Sequence, residues 1–187
     1  SDEGLAQSSF LIACERTRTA AVIDPRRDID AYTTIATRHG LTFTYAIETH
    51  IHADFVSGAR ELAALGAQVV AGPGAALRFP FHEATDGESL RVGDIAIDVL
   101  HTPGHASNQL CFLEEGERLL FTGDHLMQGS TVVINPPDGD MAAYMASLKL
   151  LLDRDDAIYY PTHGDPVTDP QRFARGLITH RKQRENQ

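Results

Sequence analysis

Glu48-Thr49-His50-Ile51-His52-Ala53-Asp54-Phe55-Val56-Ser57-Gly58 is the stretch on which the fold and the chemistry of this chain turn. It follows an apolar run, Phe43 to Ile47, that reads as a buried strand. Two imidazoles and a carboxylate then stand at alternate positions. In an extended segment residues i, i+2 and i+4 point the same way, so His50, His52 and Asp54 are expected to converge beyond the strand end. Ser57-Gly58 lets the chain turn into a helix that starts near Ala59. A solvated His, or an Asp capping a helix, accounts for any one of these residues alone. Strict alternation of three at a strand end points instead to a metal site.

On the N-terminal side, Ser9 to Cys14 and Ala20 to Asp24 read as a strand hairpin, ended by Asp24-Pro25. Asp28 to His39 carries apolar residues at helical spacing, with Gly40 as its C-cap. On the C-terminal side a helix from Ala59 to Leu65 and a strand at Val69-Val70-Ala71 precede an irregular stretch, residues 75 to 89. Phe79, Phe81 and His82 make that stretch a loop with an apolar patch at a pocket mouth. Leu90 to Val92 and Ile95 to Leu100 form one hairpin, and Leu110 to Leu113 with Leu119 to Thr122 another. Ser130 to Ile134 is strand-like. Met141 to Leu152 is an amphipathic helix opened by Asp140, Ala157 to Tyr160 is a last strand, and Asp169-Pro170 opens a last helix.

Three more chemistry-bearing residues share the placement of the first group. His105, Asp124 and His163 each lie just past an apolar strand and beside a glycine: Gly104, Gly123 and Gly164. Glycine permits the tight turns and close approaches that a site needs, and strand-end loops are where sites are assembled. His101 and His125 neighbour these candidates and read either as supporting residues or as ordinary strand-end residues.

The ordered set resembles the metallo-β-lactamase fold across essentially the whole chain. Thr49 to Asp54 matches its first motif, Thr102-Pro103-Gly104-His105 the second, Phe121-Thr122-Gly123-Asp124 the third and Tyr160 to Gly164 the last. The resemblance implies an α/β fold built as a four-layer αββα sandwich, with residues 1–187 as a single domain. It also implies a first metal site from His50, His52 and His105, a bridging Asp124, and a second site completed by Asp54 and His163. Phe55 departs from the pattern, standing where the family motif has a further His, so the second site is expected to bind more weakly. Zinc in such a site lowers the pKa of bound water towards about 7. The expected activity is therefore a metal-dependent hydrolase, with one or two zinc ions, acting on an ester-like or phosphoryl centre through metal-bound hydroxide. Asp54 and Asp124 are its catalytic carboxylates.

Two relatives pull apart. Val22 to Arg27 and Glu48 to Gly58 look like bacterial persulfide dioxygenases. That likeness implies a single Fe(II) on His50, His105 and Asp124, acting on glutathione persulfide. Asp124 to Met127, Asn135 to Met141 and His180 to Glu185 look like dizinc hydrolases related to lactamase-beta-2, and the hydrolytic reading rests on this half. A third reading is a fold that binds metal without turnover.

Composition sets the outer bounds. A chain of 187 residues with 42% hydrophobic and 22% charged residues suits one globular domain. The net charge of -10 makes nucleic acid a poor partner and leaves a small molecule as the expected substrate. Cys14 and Cys111 lie on separate apolar runs and read as buried hydrophobes rather than a disulfide. No apolar run is long enough to span a bilayer. The acidic start, Ser1-Asp2-Glu3-Gly4, does not resemble a signal peptide, so the expected location is cytoplasmic.

Overall fold

The computed structural model describes residues 7–185, which leaves the acidic start outside the described residues. Two five-stranded sheets face each other. The first runs β1 (Phe10–Cys14), β2 (Thr19–Ile23), β3 (Thr42–Ile47), β4 (Gln68–Ala71), β5 (His82–Glu83) in spatial order. β1 and β2 are an antiparallel hairpin, and β2 to β5 are parallel. The second sheet has the order β10 (Ile158–Pro161), β9 (Leu119–Gly123), β8 (Leu110–Glu114), β7 (Ile95–His101), β6 (Ser89–Val92). Its strands are antiparallel except for the parallel pair β9 and β10.

Period-two alternation explains the layering. Ile23, Ile47 and Val70 point inward from the first sheet and meet Val99, Phe112 and Phe121 from the second in one buried cluster. Their sequence neighbours Val22, Ala46 and Val69 point outward, against Tyr32 of α1 (Asp30–His39) and Ala59 and Leu62 of α2 (Ala59–Ala64). Cys111 and Leu120 do the same on the second sheet, against Tyr144, Leu148 and Leu151 of α3 (Met141–Leu152) and Ile178 of α4 (Pro170–Glu185). Both faces of both sheets are thus apolar, and the result is helix, sheet, sheet, helix, the expected four-layer sandwich.

Two stretches differ from the sequence reading. The 75 to 89 loop contains β5, two residues that pair Val70 with His82 and Ala71 with Glu83. Ser130 to Ile134 is not a strand. Its carbonyls are taken by side chains instead: Val132 O accepts from the Arg181 guanidinium and Val133 O from His105 Nδ1. Among the described residues no helix is long and apolar enough to cross a membrane.

Candidate metal centre

The residues singled out in the sequence sit at the C-terminal ends of strands. β3 delivers Glu48 to His50, β7 leads to His105, β9 to Asp124 and β10 to His163. β7 and β9 are both antiparallel to β8, so they run the same way, and β10 is parallel to β9. Their C-terminal ends therefore share one edge. The first sheet is tied to that edge by Leu110 N–H, which donates to Thr49 O at 2.7 Å. Glycine is required here. Gly123 has φ 55°, and a Cβ on it would lie 2.5 Å from Thr49 Oγ1 and 2.6 Å from Gln109 Nε2.

His50, His105 and Asp124 come together, with one donor atom from each inside a 4.8 Å group. Asp124 Oδ2 lies 3.8 Å from His50 Nε2 and 3.8 Å from His105 Nε2. Two nitrogen or oxygen ligands about 2.0–2.1 Å from a tetrahedral zinc stand roughly 3.4 Å apart, so the spacing is near that of ligands sharing one ion. The tautomers suit the same role. His105 Nδ1–H donates to Val133 O at 2.7 Å, which leaves Nε2 bare. Thr49 Oγ1 donates to Asp24 Oδ2 at 2.8 Å and lies 3.0 Å from His50 Nδ1. With its own proton committed, Thr49 accepts from Nδ1–H, and His50 Nε2 is bare too. Burial, reinforced by the neighbouring His52 charge, holds His50 well below the ordinary imidazole range, in the neutral form that binds metal.

The other oxygen of Asp124 faces a different pair. Oδ1 is buried without a hydrogen-bond partner and lies 3.6 Å from His163 Nε2. His163 Nε2 is also 3.0 Å from Asp54 Oδ2. Burial raises Asp124 above the ordinary carboxylate range, against the pull of His163 and His105. An acceptor-only group, buried between two sets of imidazoles and short of donors, is a place that a cation fits.

His52 is not brought into this group. The segment after Glu48 bends instead of staying extended, so the His52 ring, although its centroid is only 4.1 Å from that of His50, presents Nε2 to a different set of groups. His50 turns to Asp124, and Asp54 turns to His163. His52 Nε2 lies 3.0 Å from Asp24 Oδ1 and 3.4 Å from Glu48 Oε2. Phe55 packs against the His52 ring with centroids 4.2 Å apart and the planes tilted by 38°. Burial alone would lower the His52 pKa, but the two carboxylates outweigh it and hold it up at about 10. Asp24 is correspondingly held down at about 2, its burial overcome by the His52 charge. The two carboxylates thus favour the charged form of His52.

Asp24 and Glu48 carry a role that the sequence reading did not give them. Asp24 Oδ1 also accepts from Thr49 N–H at 2.8 Å, and Oδ2 accepts from Thr162 Oγ1 at 2.7 Å. One carboxylate therefore fixes the residues flanking His50 and His163. The available signal was an Asp closing an all-apolar strand. His101 accepts no such role: its Nε2 lies 3.0 Å from Ser107 O. His125 packs with its ring 5.1 Å from that of Tyr144, and burial, with the charge of His105, lowers it to about 3.

The sequence profile of the Metallo-beta-lactamase superfamily matches residues 2–163, a span that includes every residue of this centre. The chain belongs to that superfamily. Among its relatives, the "Lactamase-like protein adaB" of Aspergillus niger is 31% identical over 163 residues, covering 85% of this chain and 49% of that one. The "Atrochrysone carboxyl ACP thioesterase" of Aspergillus chevalieri is 31% identical over 156 residues, 75% of this chain and 45% of its own length. The chain thus spans about half the length of the curated relatives it matches. Among solved structures, ETHE1 from Myxococcus xanthus superposes with a TM-score of 0.84 at 26% identity, covering 100% of this chain and 89% of that one.

Proposed function

We propose that this metallo-beta-lactamase superfamily protein is a zinc-dependent hydrolase of ester-like bonds, thioesters foremost. His50, His105 and Asp124 would hold the principal ion, and Asp54, Asp124 and His163 a weaker second one. The observation that carries the reading is the division of Asp124, with one oxygen toward the His50–His105 pair and the other toward His163. A carboxylate so placed suits a bridge between two cations. The thioesterase name of a relative at 31% identity supports the choice of bond.

When bound, the metal supplies an acidified water and a Lewis acid for the carbonyl oxygen. The chain's own groups do the rest. Asp54, 45% exposed by its side chain and 3.0 Å from His163 Nε2, orients the incoming water and takes its proton. Asp124 and the two bare imidazole nitrogens fix the reacting centre. Water adds to the carbonyl carbon, the bond to the sulfur or oxygen leaving group breaks, and the proton passes to that group. The products are an acid and a thiol or alcohol. Phe55 offers no donor to the second ion, so loading there is expected to follow free zinc concentration.

Metal analysis beside a panel of thioesters and esters tests this. The expected result is bound zinc, thioester cleavage lost on chelation, and recovery on adding zinc back. Retained metal with no turnover across the panel would leave a metal-binding fold only.

A second reading is a mononuclear iron persulfide dioxygenase. With His52 turned away, His50, His105 and Asp124 form a two-histidine, one-carboxylate set suited to iron and O₂. Bound iron with rapid oxygen uptake on glutathione persulfide would replace the hydrolase reading.

A further inference from the structure

His105 takes its ring orientation from a segment that has little to hold it. Its Nδ1–H donates to Val133 O at 2.7 Å, yet Ser130 to Ile134 is neither helix nor strand. Among the described residues no backbone–backbone hydrogen bond reaches residues 130–134. The Val133 side chain is 63% exposed and gives no anchor. The anchoring falls to its neighbours. The Val132 side chain is buried in the apolar cluster of Tyr144 and Leu148, with Ile134 partly buried against it. Val132 O accepts from Arg181 Nη2.

Arg181 stands near the C-terminal end of α4 and is buried. Burying a guanidinium is costly unless its donors and its charge are met. Here one donor meets Val132 O, and the guanidinium carbon lies 5.3 Å from the centroid of the Tyr144 ring, within the range at which the ring attracts a cation. Nε is buried and finds no acceptor among the described residues. Tyr144 also abuts the residue before His105. A Cβ on Gly104 would lie 2.3 Å from Tyr144 Cα, and Asp140 N–H donates to Gly104 O at 2.9 Å. α3 therefore grips the backbone that carries His105, while α4, through Arg181, grips the segment that aims its ring.

We propose that Arg181 is a positioning residue of the metal centre. Through Val132 O it holds the next carbonyl, Val133 O, where His105 Nδ1–H needs it, and so keeps His105 Nε2 bare and turned to Asp124. A neutral imidazole carries its proton on either nitrogen, and the hydrogen-bond partner decides which. With the Val133 carbonyl free to move, the ring loses both its tautomer and its direction. Groups that orient a ligating histidine are worth about 10–100-fold in metal affinity. Arg181 acts one step behind such a group, so the expected contribution is the lower end, about ten-fold. The role rests on the reading of His105 as a metal ligand.

The test has two arms. The first uses chelated protein and needs no metal: nitrogen-15 NMR of the imidazoles at alkaline pH, with the His105 signals assigned by their loss in His105→Gln. Wild type is expected to carry the His105 proton on Nδ1 and to exchange it slowly with solvent. Arg181→Met is expected to show a mixture of tautomers and faster exchange. Arg181→Lys, which keeps one donor for Val132 O, should fall between the two. The second arm measures zinc affinity by competition with a chromophoric chelator, and Arg181→Met is expected to bind about ten-fold more weakly. Val92→Ala controls for lost stability. Val92 is fully buried, but it lies beside the turn that opens β7, the end of that strand away from His105. This variant should lower the urea midpoint and leave tautomer and zinc affinity unchanged. If wild type binds no zinc but the tautomer follows Arg181, the metal reading fails and the positioning of His105 stands. If Arg181→Met keeps the wild-type tautomer or a wild-type zinc affinity, or if Val92→Ala reproduces its effects, the role is refuted. Should Arg181→Met not fold, an unchanged tautomer in Arg181→Lys refutes the role in its place.

Discussion

Asp24 Oδ1 lies 3.0 Å from His52 Nε2, with 1% and 2% of the respective side chains exposed. The pair ties the end of β2 to the loop after β3, and the same carboxylate receives Thr49 and Thr162. Removing one member of a buried charge pair strands the other and costs about 3–5 kcal/mol. Asp24→Ala is therefore expected to destabilise the chelated protein by that order, measured by urea denaturation. Thr49 would lose its acceptor, so zinc affinity should fall as well.

The bend after β3 gives different partners to two histidines that the sequence pattern treats alike. His105→Ala should remove most of the bound metal, because it deletes a bare Nε2 3.8 Å from Asp124. His52→Gln should keep metal in the His50–His105–Asp124 group, because the His52 ring faces Asp24 and Glu48. Elemental analysis after exhaustive dialysis decides it. Equal loss in both variants would restore His52 to the ligand set.

Gly123→Ala should damage both stability and metal loading. At φ 55° an L side chain is strained, and its Cβ would press on Thr49 Oγ1, the group that holds His50 in its tautomer. The expected cost is about 2–4 kcal/mol, read as a lowered urea midpoint. Zinc titration should show weakened binding in the part of the protein that still folds.

Cys111 gives a pH dependence that involves no candidate metal ligand. Its thiol is fully buried, and burial pushes its pKa from 9.0 up to about 12. Above pH 9 the unfolded chain releases this proton while the folded chain keeps it. Fewer protons on the unfolded state mean that stability falls as pH rises, by about 1.4 kcal/mol per pH unit between 9 and 12. Cys111→Ala should flatten that part of the stability–pH profile relative to wild type, in urea melts between pH 8 and 10.5.

Much of this was legible in the sequence where the physics is local. The span of α3, Met141–Leu152, follows from its apolar stripe and from Asp140, whose carboxylate accepts from Ala143 N–H at 2.9 Å. The strand-end positions of His105, Asp124 and His163 were visible because glycines and apolar runs bracket them. β5 was not visible, since two residues have no periodicity to detect. The apolar run from Ser130 to Ile134 misled because its carbonyls are claimed by Arg181 and His105, which lie far off in sequence. Asp24 was passed over for a similar reason. A single Asp before Pro25 resembles any turn, and only its distant partners give it a purpose. The partners of His52, Asp24 and Glu48, were not visible, because the chain bends where an extended backbone was expected.

The bond from Thr162 Oγ1 to Asp24 joins positions 138 residues apart. On a ribosome adding about 5–20 residues per second, Asp24 and His50 emerge roughly ten seconds before the threonine and histidine that complete their surroundings. A nascent chain therefore has no finished cradle for a cation until translation has passed β10. Loading of a cation into this candidate centre is on that account expected only late in biogenesis, after the second sheet has closed.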